Sequence, residues 1–155
     1  MKFISTCTAL VFALSCTAAV AGECPAGKEG PTPFKPITET KGPIQVVNNG
    51  QILLDDEAVA AKGWHLRSRT IYFGKDSVAQ LHSHDERPEI ATMLSGSVTI
   101  YAKNCTVGVK MKPGEVYRSG RGDSHWAVNE SGAPAVMYAT DIFLKDTFPV
   151  SGGNK

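Results

Sequence analysis

The sequence predicts an all-β domain, a sandwich or barrel of short strands. Three observations point there. Runs rich in Val, Ile, Thr and Tyr recur along the chain, separated by short gaps that carry turn residues. No segment has the 3.6-residue periodicity of a long amphipathic helix, and no internal repeat is present. Glycine and proline are frequent, at 15 and 9 of 155 residues, and they fall mostly between the runs.

The elements follow in chain order. Met1 to Ala21 reads as a secretory signal. Lys2 supplies the charge, Phe3 to Leu14 a mostly apolar stretch, and Ala19-Val20-Ala21 a small-x-small site cut before Gly22. A lipoprotein reading at Ala13-Leu14-Ser15-Cys16 lacks the bulky aliphatic residue three before the cysteine, so cleavage at Ala21 is preferred. The apolar stretch is too short and too polar for a stable membrane anchor. The expected location is therefore secreted or periplasmic. Residues 22–43 form an irregular arm, rich in Pro and Gly as far as Pro36, which is free to swap onto a neighbour in a homodimer. Residues 44–150 form the β domain, and 151–155 a loose tail.

Within the domain, Ile44 to Val47 and Gln51 to Leu54 flank Asn48-Asn49-Gly50. That is a hairpin signal, because Asn and Gly tolerate positive φ. Asp55 to Lys62 is expected to form one or two helical turns. Strand-like runs follow at Trp64 to Phe73, Val78 to His84, Ile90 to Leu94, Ser97 to Ala102, Thr106 to Met111, Glu115 to Arg118, His125 to Val128 and Ala135 to Phe143.

Composition narrows the function. Removing 21 residues from 155 leaves 134, enough for one domain. Lys2 is the only charge lost, so 16 basic residues become 15, against 15 acidic ones, and the net charge falls to zero. The absence of a basic run argues against a nucleic-acid partner held by bulk charge, and none is expected. A hydrophobic share of 42% excludes a disordered chain. Cys7 and Cys16 leave with the signal. Cys24 and Cys105 remain, either as a disulfide suited to an oxidising compartment or as two free thiols. The disulfide is the expectation. Closing a loop of roughly 80 residues would stabilise by about 4 kcal/mol. No phosphate-binding glycine loop leads from a strand into a helix, and no serine sits in a nucleophile elbow.

The informative stretch is His82-Ser83-His84-Asp85-Glu86-Arg87-Pro88-Glu89. His82 and His84 are two apart on a predicted strand, so their imidazoles share a face. Glu89 can return a carboxylate to that face, and His125 opens a later strand. Three imidazoles and a carboxylate leave open positions on a six-coordinate metal.

The same intervals resemble the two motifs of the cupin superfamily. His82, His84, Glu89 and Gly96 match the first motif, although Gly74 lies two residues farther from His82 than the family's leading glycine does. Gly114, Gly122, His125 and Asn129 match the second, with Gly120 at its proline position. The resemblance covers about Gly74 to Asn129. It implies a jelly-roll barrel, or double-stranded β-helix, with a metal in its mouth. The implied ligands are His82, His84, Glu89 and His125 around one divalent transition metal, namely Fe, Mn, Ni, Cu or Zn. Gly96 would end a tight turn, Gly122 would let backbone pass close to His125, and Asn129 would cap a turn.

Alternation places Gln80 on the face of His82, and Ala91 and Met93 inward after Glu89, so Gln80 and Met93 are candidate pocket residues. Trp126 falls on the face opposite His125. Arg67 and Arg69 would clamp an anionic substrate if their face looks into the barrel, and are solvated if it looks out; the outward placement is the expectation. His65 is not needed as a ligand. Arg87 pairs with Glu86 or gates the mouth. Small single-domain cupins that this chain resembles include quercetinase-like dioxygenases. The resemblance therefore implies a metal-dependent enzyme acting on a small organic substrate, with Glu89 as ligand and proton acceptor together. A redox-neutral isomerase or lyase, or a binding module without turnover, is the alternative.

Overall fold

A computed structural model describes residues 23–144. The signal segment and the tail from Ser151 lie outside them. Among the described residues nine strands form two antiparallel sheets that face each other. They are β1 (Ile44–Leu53), β2 (Trp64–Phe73), β3 (Val78–Ser83), β4 (Glu89–Ser95), β5 (Val98–Ala102), β6 (Val109–Met111), β7 (Val116–Ser119), β8 (Ser124–Val128) and β9 (Ala135–Leu144). One sheet runs β1-β2-β9-β4-β7, the other β3-β8-β5-β6. Apart from β1-β2 and β5-β6, neighbours in each sheet are distant in sequence, which is the jelly-roll pattern. Among the described residues no helix is long and apolar enough to cross a membrane.

Alternation sets what lies inside. On β9, Ala135, Met137, Ala139, Asp141 and Phe143 are buried, and the residues between them are less so. Their partners on β2 are Phe73, Ile71, Arg69, Arg67 and His65, in that order. The apolar core gathers at one end, around Phe73, Met93, Ile100, Met111 and Met137.

Two local expectations fail, each for a tertiary reason. Asn48-Asn49-Gly50 does not turn. β1 is one continuous strand that pairs with β2 along its length, with a register shift between Asn48 and Gly50. The extra residue is absorbed as an edge bulge, which Gly50 N stabilises by donating to Asn48 Oδ1 at 3.1 Å. The ten-residue partner strand overrides the local turn preference. Asp55 to Lys62 forms turns, not helix. Gly63 N donates to Asp55 Oδ1 at 2.6 Å, which closes the loop across a segment too short to sustain a helix.

The arm lies on its own barrel. Lys41 exchanges backbone hydrogen bonds with Val78, and Leu81 N donates to Ile37 O at 2.7 Å, so the arm covers the free edge of β3. Farther back, Gly30 N and Thr32 N donate to Asn104 and Lys103 carbonyls. Cys24 and Cys105 are joined in a disulfide, and the two Cα atoms lie 5.5 Å apart. Trp126, on the face away from the barrel interior, stacks on Tyr101, whose ring meets Phe34 of the arm edge-on.

Two motif glycines have different reasons. Gly96 has φ of 68°, and a Cβ there would sit 2.6 Å from the Pro134 carbonyl oxygen. Gly122 has φ of 89° with open space around it, so positive φ requires the glycine, and no close approach to His125 is involved. Gly122→Ala should therefore cost about 1–2 kcal/mol of backbone strain alone. Gly96→Ala adds a backbone clash and should cost clearly more. Urea unfolding of the two variants checks the order.

Candidate metal centre

β3 and β8 present the imidazoles. His82 and His125 are direct cross-strand partners, and His84 follows immediately after β3. The register shifts between Ala79 and His82, so β3 carries one extra residue there. Simple alternation from Gln80 therefore does not apply. Ala79 and His82 both sit opposite inward residues of β8, while Gln80 lines the cavity from the bulge.

The three ring centroids lie 4.5–4.9 Å apart. A ligand nitrogen from each can lie within 4.8 Å of the others. Backbone carbonyls set two tautomers. His84 Nδ1 donates to the Arg87 carbonyl at 2.9 Å, and His82 Nδ1 to the Gln80 carbonyl at 2.8 Å. A carbonyl cannot donate, so each Nδ1 holds the proton and each Nε2 keeps its lone pair. His84 Nε2 and His125 Nδ1 are buried with no hydrogen-bond partner. Clustered, buried and unsatisfied imidazole nitrogens are what a transition-metal cation would satisfy, so the residues fit such an ion.

Burial pushes all three imidazoles below the ordinary histidine value, His125 furthest, with its two histidine neighbours adding to the effect. They are therefore neutral at pH 7, the form a metal needs. Tyr117 packs edge-on against His125 at 5.4 Å, and burial raises its phenol to about 12.

Glu89 departs from the expected ligand set. It does not join the imidazole group. Its Oε2 accepts instead from Arg69 Nη2 and, at 2.9 Å, from Arg87 Nη1. The cause lies across the sheet. Glu89 on β4 is directly opposite Asp141 on β9, and Asp141 is directly opposite Arg67 on β2. Two buried carboxylates side by side repel, and guanidiniums must neutralise them. Arg67 grips Asp141 through Nε and Nη2 at 3.1 and 2.8 Å. Arg69 and Arg87 each reach Asp141 at 3.1 and 2.9 Å. Burial works against ionisation of Asp141, but the Arg67 hydrogen bonds and the Arg69 charge hold its carboxyl below the usual range. Burial lowers Arg69 itself, against the pull of Glu89 and Asp141.

The arginines thus face inward, contrary to the solvated placement expected from the sequence. The structure separates the pocket candidates. Gln80 and Arg69 line a cavity of about 420 Å³ together with His82, His125 and Glu89. Arg67 does not line it, being locked between Asp141 and the Phe143 ring, 4.2 Å below its guanidinium carbon. Met93 lies in the core beneath, 1% exposed. Arg87 pairs with Glu89 and Asp141 and lines the cavity, which suits the expected place at the mouth better than the expected pairing with Glu86. His65 stacks on Phe143, away from the metal group. Asn129, fully buried, donates to the Gly74 and Ala133 carbonyls and accepts from Ser131, as a turn cap does. Asp141 was missed. Its signal was an acid on the apolar face of an alternating strand.

No protein-family model and no curated protein matches this sequence. Solved structures do. A predicted oxalate decarboxylase from Thermotoga maritima superposes with a TM-score of 0.54 over 76% of this chain and 95% of its own, at 20% identity. A cupin domain from Schizosaccharomyces pombe gives 0.50 over 71% of both chains, at 9% identity. The fold is the cupin fold. At these identities the likeness is one of architecture. The three-imidazole group of this barrel stands on its own geometry.

The imidazole shifts have a definite sign. Unfolded histidines protonate near 6.5, the buried three only at lower pH, so below 6.5 the unfolded chain binds more protons. Stability of the metal-free protein should be full above that value and fall as pH drops beneath it, more steeply than in His125→Ala. Thermal melts from pH 8 to 5 check this. Asp141→Asn leaves buried guanidiniums without their shared carboxylate and should cost about 3–5 kcal/mol in denaturant unfolding.

Proposed function

We propose that this cupin is a metal-dependent enzyme of dioxygenase type, holding one divalent transition metal through His82, His84 and His125. The observation that carries the reading is the cluster of three neutral imidazoles, two of them with a buried unsatisfied nitrogen, beside a cavity sized for a small organic molecule. When bound, the metal would supply open coordination positions and redox or Lewis-acid chemistry. The chain's own residues do the rest. The Gln80 and Arg87 carbonyls hold the tautomers of His82 and His84. Ile71, Phe73, Ile100 and Met137 exclude water from the deep wall. Both guanidinium contacts to Glu89 fall on Oε2, which leaves Oε1 to take a proton from a substrate in the cavity. Export is part of the proposal. The signal-like Met1 to Ala21 and the Cys24–Cys105 pairing both suit an oxidising compartment.

Elemental analysis of the purified chain should find about one transition-metal ion per chain. His84→Ala/His125→Ala should lose it while the disulfide-linked fold persists by circular dichroism. Oxygen uptake should appear with one class among flavonols, catechols and 1,3-diketones. A chain that cannot be loaded with any of Fe, Mn, Ni, Cu or Zn would sink the metal reading. Full loading without oxygen uptake on the panel would move the function to redox-neutral chemistry or to ligand holding.

A further inference from the structure

The cavity is polarised along the strands. On the inner face of β2, Arg69, Ile71 and Phe73 follow one another at intervals of about 7 Å. Across from them on β9 stand Ala139, Met137 and Ala135. Arg69 and Glu89 thus mark one end of the cavity, and Ile71, Phe73, Ile100 and Met137 the other. The row that contains Arg69 is small next to it on the side toward β4, before Tyr117 on β7 closes it. The partner of Arg69 is Ala139, whose own partner on β4 is Ala91. Two alanines beside a guanidinium leave the space next to it to the cavity.

The two carboxylates on the arginines are held unequally. Asp141 is gripped by both Nε and Nη2 of Arg67. Glu89 meets Arg69 through Nη2 and Arg87 through Nη1, one nitrogen from each, and both of those nitrogens are shared with Asp141. Arg69 Nε is buried with no partner at all. A guanidinium that engages one nitrogen and strands another makes a weaker pair than a two-point fork. Glu89 is therefore the replaceable carboxylate and Asp141 the fixed one.

We propose that Arg69 recognises the carboxylate of a small organic acid with an apolar body, which takes over the Nε–Nη2 edge from Glu89 and lays its body along Ile71, Phe73 and Met137. This rests on reading the cavity as a substrate site, and it names the substrate class. Neutral organic molecules lack the head group, and inorganic anions or the smallest dicarboxylates lack the body.

The test uses the metal-free full chain, so that carboxylate chelation of a metal plays no part. Isothermal titration compares phenylacetate, phenylacetamide of nearly the same shape, and oxalate. Phenylacetate should bind at least about tenfold more tightly than either, the size expected of charge-assisted hydrogen bonds. Arg69→Gln should erase the difference between acid and amide while leaving amide binding in place, which also reports that the cavity has folded. Glu89→Gln, by removing the competing charge, should tighten phenylacetate several-fold. Equal binding of acid and amide by the unmodified protein, or binding of neither, overturns the proposal. Oxalate binding as well as phenylacetate overturns the apolar part. Unchanged or weaker acid binding in Glu89→Gln overturns the exchange. A chain that takes up no metal yet separates acid from amide would lose the metal reading and keep this one. The reverse result would do the opposite.

Discussion

Asp141 is 1% exposed and stands between Glu89 on one side and Arg67 on the other, in one row across three strands. That row constrains everything around it. A buried carboxylate beside another is tolerable only with guanidiniums close by, and Arg67, Arg69 and Arg87 converge from β2 and from the loop before β4. The convergence fixes the register of β2, β9 and β4 against one another. It also withholds Glu89 from the imidazoles and places a positive wall beside them. The group that could hold a metal is therefore three imidazoles, set by β3 and β8, while Glu89 is engaged by guanidiniums.

The same row divides the barrel interior into layers. Phe143 and His65 close one end beneath Arg67. Charge occupies the next layers, then Ile71 with Met137, then Phe73 with Ala135. The apolar layers supply most of the burial that stabilises the domain, and the charged layers supply its chemistry. The arm belongs to the same economy. It pairs with the edge of β3, the strand whose bulge aims His82 and frees the Gln80 carbonyl to orient it. Backbone at the candidate metal centre is thus held from outside as well as from within.

Much of this was legible in the sequence. The strand runs, the His82, His84 and His125 set and the glycine at position 96 follow from local chemistry, because alternation, imidazole spacing and turn φ are properties of neighbouring residues. β2 even begins and ends where its β-branched and aromatic run does. Where a long-range partner competed with a local preference, local reading failed. Asn48-Asn49-Gly50 carries a turn signal and became a bulge, because β2 offered pairing on both sides of it. Gln80 and His82 are two apart, yet a bulge in β3 broke their shared alternation.

The sequence by itself determined the all-β class, the cupin-like intervals and the imidazoles, since each depends on residue type and short spacing. Only the tertiary structure decided what Glu89 does, that Arg69 looks into the cavity while Arg67 is locked beside it, and that Asp141 matters. These are matters of cross-strand register between segments some 50 to 75 residues apart. Coulomb energy in a buried site depends on distance in space, and no spacing along the chain encodes that distance.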